Sequence, residues 1–367
     1  MENVNAVFGL EVEVKKLPLP IGISFYTFQS ISYLVDIYRR VCPPQKSLIK
    51  MGLFISFFPQ LIAGPILKYY DIAAQIDNRK VSLPLFNQGA VRFLQGLAKK
   101  IIIANIMAKT ADEIFALGIN DISTPMAWIG IVAYTFQIYF DFSGYSDMAI
   151  GLGKMFGFHI NENFNYPYIA TSIKDFWRRW HISLSTWFKE YLYIPLGGNR
   201  EGKFKTYRNL MIVFFMTGLW HGASWNFVVW GLFHGVFLVL ERMLPIEKFL
   251  RFRLIQNIYA LLVVMVGWVF FRAENLTAAL DYLKRMFVPY KTDVYSAYLS
   301  NEFMMVAALG LVSCGFLTLI FDKLPVKTEY KFGFLRLVNP AWCAVIAYFS
   351  VLLLASNTYN PFIYFRF

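Results

Sequence analysis

The stretch "FFMTGLWHGASWNFVVWG", Phe214 to Gly231, contains one histidine, His221, between a tryptophan and a glycine in otherwise apolar sequence. Apolar surroundings of this length indicate lipid or a buried protein core. A titratable side chain in either place normally faces a cavity or a partner. The stretch therefore raises the question of what an imidazole does there.

Basic residues flank this stretch on both sides, which indicates that its two ends lie on one face of a membrane. They are Lys203, Lys205 and Arg208 before it and Arg242, Arg251 and Arg253 after it. A helix over Asn209–Trp220 would reach only ~18 Å, about half of a bilayer. Because Gly222 permits a turn, we predict that the chain enters, turns near His221 and returns through Trp225–Leu240, placing the imidazole near mid-depth. One strongly tilted helix of ~32 residues would give the same hydropathy.

The composition is that of an integral membrane protein. The 367 residues are 57% hydrophobic, 19% aromatic and 16% charged, with mean hydropathy +0.47, whereas soluble domains carry about 25% charged residues. In this apolar background the net charge of +12 indicates cytoplasmic anchoring rather than nucleic-acid binding. The three cysteines and four histidines have no disulfide or zinc spacing, so no metal site is expected.

We predict an all-α, polytopic membrane protein. Residues 1–18 form a non-membrane N-terminal segment, 19–356 the membrane domain with its core motifs in 19–235, and 357–367 a short tail. The candidate spans are Leu254–Phe271, Phe303–Phe321, Val338–Ala355, Pro20–Tyr38 and Pro125–Phe140. Met51–Leu67 is expected to be bent or re-entrant because of its prolines and glycine. "FLQGLAKKIIIANIMA", from Phe93, is expected to be helical and to start at the cytoplasmic interface.

The region Tyr166–Arg208 is polar and aromatic, and its first part predicts one interfacial helix. Ser172 followed by Asp175 is a capping pattern. An apolar stripe recurs at helical spacing, formed by Trp177, Trp180, Leu184, Trp187 and Tyr191. The other face carries Lys174, Arg178, His181, Ser185 and Lys189. A basic, tryptophan-rich amphipathic helix is expected to lie in the membrane interface.

The histidines differ in what they suggest. At membrane depth, His221 is interpreted either as a general base, since its unperturbed pKa lies near 6.5, or as a histidine hydrogen-bonded between helices. On the polar face of an interfacial helix, His181 is more simply a solvated or phosphate-contacting residue. Nothing near His159 or His234 suggests chemistry.

The two aspartates in "YFDFSGYSDMAIG", Asp141 and Asp147, are not expected to form an acid–base dyad. Six residues of helix place them about 120° apart. Asp141 shares a stripe with Tyr134, Gln137 and Tyr145, which would line a tunnel or bind a neighbouring helix. No phosphate loop, dinucleotide fingerprint or serine elbow is present.

Five stretches resemble the membrane-bound O-acyltransferase family, in its bacterial alginate O-acetyltransferase branch. They are "LPIGISFYTFQSISYLVDIYR", "FISFFPQLIAGPI", "YFDFSGYSDMAIGLGKMFGF", "NFNYPYIATSIKDFWRRWHISLSTWFKEYLYIPLGGNR" and "TGLWHGASWNFVVWGLFHG". They run in order from Leu19 to Gly235. The resemblance implies a ring of tilted helices around a central tunnel, with interfacial and re-entrant helices, in the bacterial plasma membrane.

The resemblance also implies roles for residues. His221 matches the essential histidine of the family and His181 its second characteristic position, so both are predicted to be catalytic. Lys174, Arg178 and Arg179 would hold donor phosphates or lipid headgroups. We assign Asp141, Gln137 and Trp220 as polar residues of the tunnel or of helix contacts.

The activity implied is transfer of an acyl group from a cytoplasmic thioester, carried by coenzyme A or acyl carrier protein, towards an extracellular polysaccharide. No bound cofactor is expected, and the expected partner is an esterase-like extracytoplasmic acetyltransferase. "YIPLGGNR" favours this branch over D-alanyl transfer to teichoic acid. A transporter or a noncatalytic scaffold is the alternative of another class. Family members have further spanning helices before "LPIGISFYTFQ", so we expect a fragment, a misassigned start or a reduced form.

Overall fold

The computed structural model describes residues 20, 22–244, 249–290, 295–316 and 340–356. Over these residues all regular elements are helical and no strand occurs, which confirms the all-α prediction. The α-helices are α1 (Ile23–Tyr38), α2 (Leu48–Ile55), α3 (Tyr69–Asn78), α4 (Leu83–Ala98), α5 (Asn105–Phe115), α6 (Thr124–Met155), α7 (Ile173–Arg179), α8 (Ile182–Phe188), α9 (Lys203–His221), α10 (Trp225–Met243), α11 (Arg253–Arg272), α12 (Leu276–Phe287), α13 (Asn301–Ser313) and α14 (Pro340–Ser356). Segments Lys99–Ala104 and Lys189–Tyr193 are π-helical, and Pro167–Ile169 and Tyr295–Tyr298 are 3-10 turns. The predicted segments 1–18 and 357–367 lie outside the described residues.

Within the described residues, two helices, α10 and α11, are long and apolar enough to cross a membrane, and α13 and Trp342–Ser356 are shorter apolar helices. The predicted span Leu254–Phe271 corresponds to α11. Helix α13 covers the start of the predicted span Phe303–Phe321, whose residues after 316 lie outside the described part. The predicted break in Met51–Leu67 is confirmed, because α2 ends at Ile55 and turns follow.

The longest helix, α6, has 32 residues and extends fifteen residues beyond the predicted span Pro125–Phe140. It is capped by Ser123, whose hydroxyl accepts a hydrogen bond from the Met126 amide at 3.2 Å. At 1.5 Å per residue it is ~48 Å long. The prediction stopped short because the polar residues that follow Phe140 have partners on another helix.

Those partners lie on α4 and on the π-helical segment after it. Asp147 accepts hydrogen bonds from Arg92 at 2.6 Å and from Lys99 at 2.6 Å. Asp141 pairs with Lys100 at 2.5 Å. Each aspartate is thus neutralised by cations of its own, which agrees with the prediction that they do not form a dyad.

Helices α4 and α6 also touch through glycines. A Cβ at Gly96 would overlap the carbonyl oxygen of Gly144, and one at Gly89 would lie 2.5 Å from that of Gly151. Close backbone approach shortens the distance that the ion pairs must bridge. Helix α4 begins at Leu83, capped by Ser82, so the stretch from Phe93 is helical as predicted but lies within a longer helical region.

The single interfacial helix predicted from Ser172 to Tyr191 is wrong, because the chain breaks at Trp180 and His181. The Ser172 cap is confirmed, since its hydroxyl accepts from the Asp175 amide at 3.0 Å. His181 adopts the left-handed conformation, φ 42°. The Ile182 amide donates to the carbonyl of Asn163 at 2.9 Å instead of continuing the helix. The apolar stripe is nevertheless buried from Trp177 to Trp187.

The π-helical segment after α8 is fixed by a polar cluster. Lys68 forms an ion pair with Glu190 at 2.9 Å, and the Tyr191 hydroxyl donates to Asp36 at 2.7 Å. Burial alone would lower the pKa of Lys68, but hydrogen bonds with Tyr70 and Glu190 outweigh it and raise that pKa. The charged pair therefore connects the π-helical segment to the loop before α3.

Candidate active site

The predicted turn beside His221 is confirmed. Helix α9 ends at His221 and α10 begins at Trp225, so the two form an antiparallel hairpin. Gly218 and Gly231 allow its two arms to touch, because a Cβ at either would overlap a carbonyl oxygen of the opposite arm. The predicted shortness of the first arm is wrong, since α9 starts at Lys203 and its 19 residues reach ~28 Å.

Gly222 does not serve the turn through its backbone freedom, as was expected. Its φ of 173° is extended backbone that any residue adopts. A Cβ there would instead lie 2.6 Å from the ring of Phe227. The glycine therefore makes room for an aromatic ring of the other arm.

The His221 imidazole lies half-buried within an aromatic wall. Its ring centroid is 4.7 Å from that of Trp220, 5.0 Å from Trp230 and 5.0 Å from Phe271. Among the described residues it has no hydrogen-bond partner. The interpretation as a histidine hydrogen-bonded between helices thus finds no support in the geometry.

Trp220 is held by stacking. Phe28 lies between two indoles, 3.9 Å from Trp187 with planes 8° apart and 5.2 Å from Trp220 with planes 15° apart. The Trp187 indole N–H donates to the carbonyl of Phe28 at 3.1 Å. This stack connects α1, α8 and α9 and fixes the tryptophan that precedes His221.

His181 also lies near Trp220, but it is buried and not solvated as predicted. It is 1% exposed, so the expectation of a solvated residue on a polar face is wrong. Its ring centroid lies 6.4 Å from that of Trp220 and 4.7 Å from that of Phe142. Its Nδ1 lies 3.2 Å from Oδ1 of Asn163. The helix break places the imidazole inside the protein.

Several buried polar atoms around the two histidines have no hydrogen-bond partner in the part of the chain that the structure describes. They are Nε2 of His181, Nε1 of Trp220 and Nε1 of Trp230. Leaving such a group unpaired costs ~1–3 kcal/mol. These atoms are two indole N–H donors and one imidazole nitrogen, whose role depends on the tautomer.

A cleft of about 180 Å³ lies between α7, α8, α9 and α10. Trp177, Phe188 and Phe214 contribute its apolar wall, and Lys174 and Arg178 contribute two exposed cations. Neither cation forms an ion pair within the described residues. Arg179, predicted with them, instead binds Asp175 at 3.0 Å and the carbonyl of Asn165 at 3.2 Å.

The cleft begins at the basic end of the hairpin and extends towards the turn. Glu241, near the end of α10, accepts hydrogen bonds from the amides of Ile173 and Lys174 at 2.6 and 3.0 Å. Thr217, also on the cleft, is four residues and one helical turn before His221. The arrangement can hold an anionic group at the end with the two cations and an apolar chain along the aromatic wall.

The remaining predicted polar residues lie on α6. Gln137 and Asp141 are each 2% exposed, and Oε1 of Gln137 has no partner among the described residues. His159 is exposed, and its amide donates to Gln75 at 2.6 Å. His234 is fully buried, with ring contacts to Trp177 and Trp230.

Sequence reasoning missed Asn163 and Ser183, which surround His181. Asn163 lies in "NENFNYP", where no periodicity or motif distinguishes one asparagine from another. Ser183 was visible only as a neighbour of His181.

The family model for MBOAT, the membrane-bound O-acyltransferase family, matches residues 43–277. The chain is 43% identical over 390 residues to "Probable alginate O-acetylase AlgI" of Pseudomonas putida, covering 100% of this chain and 80% of that protein. It is 41% identical over 322 residues to "Peptidoglycan O-acetyltransferase" of Helicobacter pylori, covering 78% and 60%. It is 30% identical over 230 residues to "Teichoic acid D-alanyltransferase" of Bacillus subtilis, covering 59% and 58%.

Four further bacterial proteins named as alginate O-acetylases are 52–53% identical, and the chain spans between 52% and 58% of their length. The identity falls from the alginate relatives through the peptidoglycan relative to the teichoic acid relative. The family match includes both histidine segments, the cleft and the hairpin. The chain is therefore a membrane protein and an acyltransferase that belongs to the membrane-bound O-acyltransferase family.

Proposed function

We propose that this protein transfers an acetyl group from a cytoplasmic thioester to a hydroxyl acceptor, for O-acetylation of an extracellular polysaccharide of the alginate type. The observation that carries the proposal is the His221 imidazole, which is half-buried at the turn of a tightly packed hairpin and has no hydrogen-bond partner among the residues that the structure describes. Relatives named for alginate O-acetylation have the higher identities.

In the reaction, His221 takes the proton of the acceptor hydroxyl while its oxygen attacks the thioester carbonyl. The C–O bond forms, the C–S bond breaks, and the departing thiolate receives the proton from the imidazolium. A positioned base of this kind contributes about 10²–10⁴-fold. Two attacks through an acyl-imidazole would have the same overall balance.

The cleft supports access of the donor from the basic end of the hairpin. Lys174 and Arg178 are placed to bind the phosphates of coenzyme A or of a carrier-protein prosthetic group. The apolar wall suits the chain that carries the thioester, and Thr217 lies one turn from His221.

The finer architecture also belongs to this proposal. A ring of tilted helices around a tunnel, re-entrant turns after α2 and a multi-pass location in the bacterial plasma membrane are all consistent with the helices and the basic ends of the hairpin. An extracytoplasmic acetyltransferase of the esterase type would receive the acetyl group and modify the polymer.

The test is His221→Gln in the full chain, expressed in a bacterium that lacks its own copy of the gene. The expected result is loss of ester-bound acetate from the extracellular polysaccharide, with normal amounts of protein in the membrane. His159→Gln is the matched control, because that residue is exposed and uses only its backbone. Retained acetylation in His221→Gln would reject the role of His221 as the base. Loss of ester-bound D-alanine instead of acetate would favour the teichoic acid reaction.

A further inference from the structure

The hydrogen bonds around Asn163 determine which way its amide points. Oδ1 accepts from the backbone amide of Ser183 at 3.1 Å and from the Ser183 hydroxyl at 2.9 Å. A backbone N–H can only donate, so the atom facing it must be the oxygen. Nδ2 accordingly donates to the Ser146 hydroxyl at 3.2 Å.

This orientation determines the protonation of His181. Nδ1 of the imidazole lies 3.2 Å from the same Oδ1, and an amide oxygen only accepts hydrogen bonds. The Ser183 hydroxyl lies farther from Nδ1, at 3.5 Å, and donates its proton to Oδ1. Nδ1 must therefore carry the proton, because a neutral imidazole has one donor and one acceptor nitrogen. The free lone pair is then on Nε2, the buried atom for which the described residues supply no partner.

Backbone contacts also hold His181 in place beside Asn163. His181 has φ 42°, a conformation that costs a residue with a Cβ about 1–3 kcal/mol. Asn163 holds it there through its backbone oxygen, which accepts from Ile182 at 2.9 Å. Asn163 is itself 0% exposed, so its side chain has little freedom to release the ring.

We propose that Asn163 is a positioning residue that keeps His181 in the Nδ1-protonated tautomer and presents Nε2 as a hydrogen-bond acceptor to a substrate hydroxyl. The inference rests on the proposed acyl transfer. In this state His181 orients the hydroxyl group of the acceptor but cannot donate to the oxyanion of the tetrahedral intermediate. The donors Nε1 of Trp220 and Nε1 of Trp230 remain for that oxyanion.

The first measurement is the ¹⁵N spectrum of the histidine-labelled full chain in lipid nanodiscs, with His181→Gln to identify the His181 signals. The expected result is a protonated Nδ1 and an unprotonated Nε2. A proton on Nε2 overturns the proposal. Asn163→Leu removes the acceptor, and we expect the proton to move to Nε2. Ser146→Ala is the matched control, since it leaves Oδ1 in place and should leave the tautomer unchanged.

The second measurement is acetyl transfer from acetyl coenzyme A in membrane vesicles. Asn163→Leu is expected to lower kcat by about a hundredfold with little change in KM for the donor. Asn163→Asp keeps the acceptor oxygen and should restore most of the activity. Because its carboxylate stabilises the imidazolium, the acidic limb of the pH profile should move to higher pH by about one unit.

The outcomes separate this inference from the reaction on which it rests. An unmoved acidic limb in Asn163→Asp, or equal losses in Asn163→Asp and Asn163→Leu, would reduce Asn163 to a structural residue and overturn the proposal. Full activity in His181→Gln would reject the role of His181 in transfer, and the positioning role with it. If His221→Gln loses activity while the Asn163 and His181 variants retain it, the acyltransferase proposal stands and only the positioning role is rejected.

Discussion

Lys100 and Asp141 form an ion pair inside the protein, with Nζ of the lysine 2.5 Å from Oδ1 of the aspartate. The two residues are only 8% and 2% exposed. Lys100 belongs to the π-helical segment after α4 and Asp141 to α6, so the pair joins two elements 41 residues apart in sequence. Desolvation of both charges offsets much of their attraction, and the pair matters most when one partner is lost.

We therefore expect Lys100→Met to destabilise the protein by ~3–5 kcal/mol, because it removes the cation that lies against a buried carboxylate. Combining it with Asp141→Leu should restore much of the loss. The measurement is a double-mutant cycle on thermal unfolding in detergent. The exposed pair Lys205 and Glu201 provides the control, in which the same replacements should have no measurable effect. A double variant as unstable as the sum of the singles would contradict this account.

The second prediction concerns the contact between α4 and α6. Gly96→Ala should lower the unfolding temperature, since its Cβ would overlap the carbonyl oxygen of Gly144 and push the helices apart. Gly52→Ala is the matched control, because nothing lies within 4 Å of a Cβ built there. In a helix that change should stabilise by ~0.5–1 kcal/mol. A lower unfolding temperature for Gly96→Ala together with a higher one for Gly52→Ala would support the contact. An unchanged unfolding temperature for Gly96→Ala would refute it.

The contrast between hairpin and helix break shows what sequence patterns can and cannot predict. The turn at His221 was predictable because basic residues at both ends of one apolar stretch indicate that the chain returns to the face from which it entered. The break at His181 was not, because the group that accepts the Ile182 amide is Asn163, far outside one helical turn. The true length of α6 was not predictable for the same reason, because the cations that pair with its carboxylates lie on another helix. Local periodicity cannot detect partners contributed by distant sequence.

A third prediction tests the aromatic stack before His221. Phe28→Leu keeps most of the volume but removes stacking on Trp187 and Trp220, which is worth ~0.5–1.5 kcal/mol per pair. We expect kcat for acetyl transfer to fall several-fold, because Trp220 and the adjacent His221 lose their fixed position, and the free energy of unfolding to fall by ~1–3 kcal/mol for the two lost pairs. Phe58→Leu is the control at an exposed ring, 56% exposed. A change in stability without a change in kcat would limit the stack to a packing role.

The last prediction concerns the two cations of the cleft. Replacing either Lys174 or Arg178 with Ala should raise KM for acetyl coenzyme A about tenfold, as expected from loss of one charge-assisted hydrogen bond of ~1.5 kcal/mol, while kcat changes little. The assay is acetyl transfer in membrane vesicles at several salt concentrations, because the wild-type KM should itself rise with salt. Lys189→Ala is the control, since that lysine is exposed on the neighbouring segment and does not line the cleft. An unchanged KM, with activity that instead depends on anionic lipid, would assign the two cations to headgroup binding.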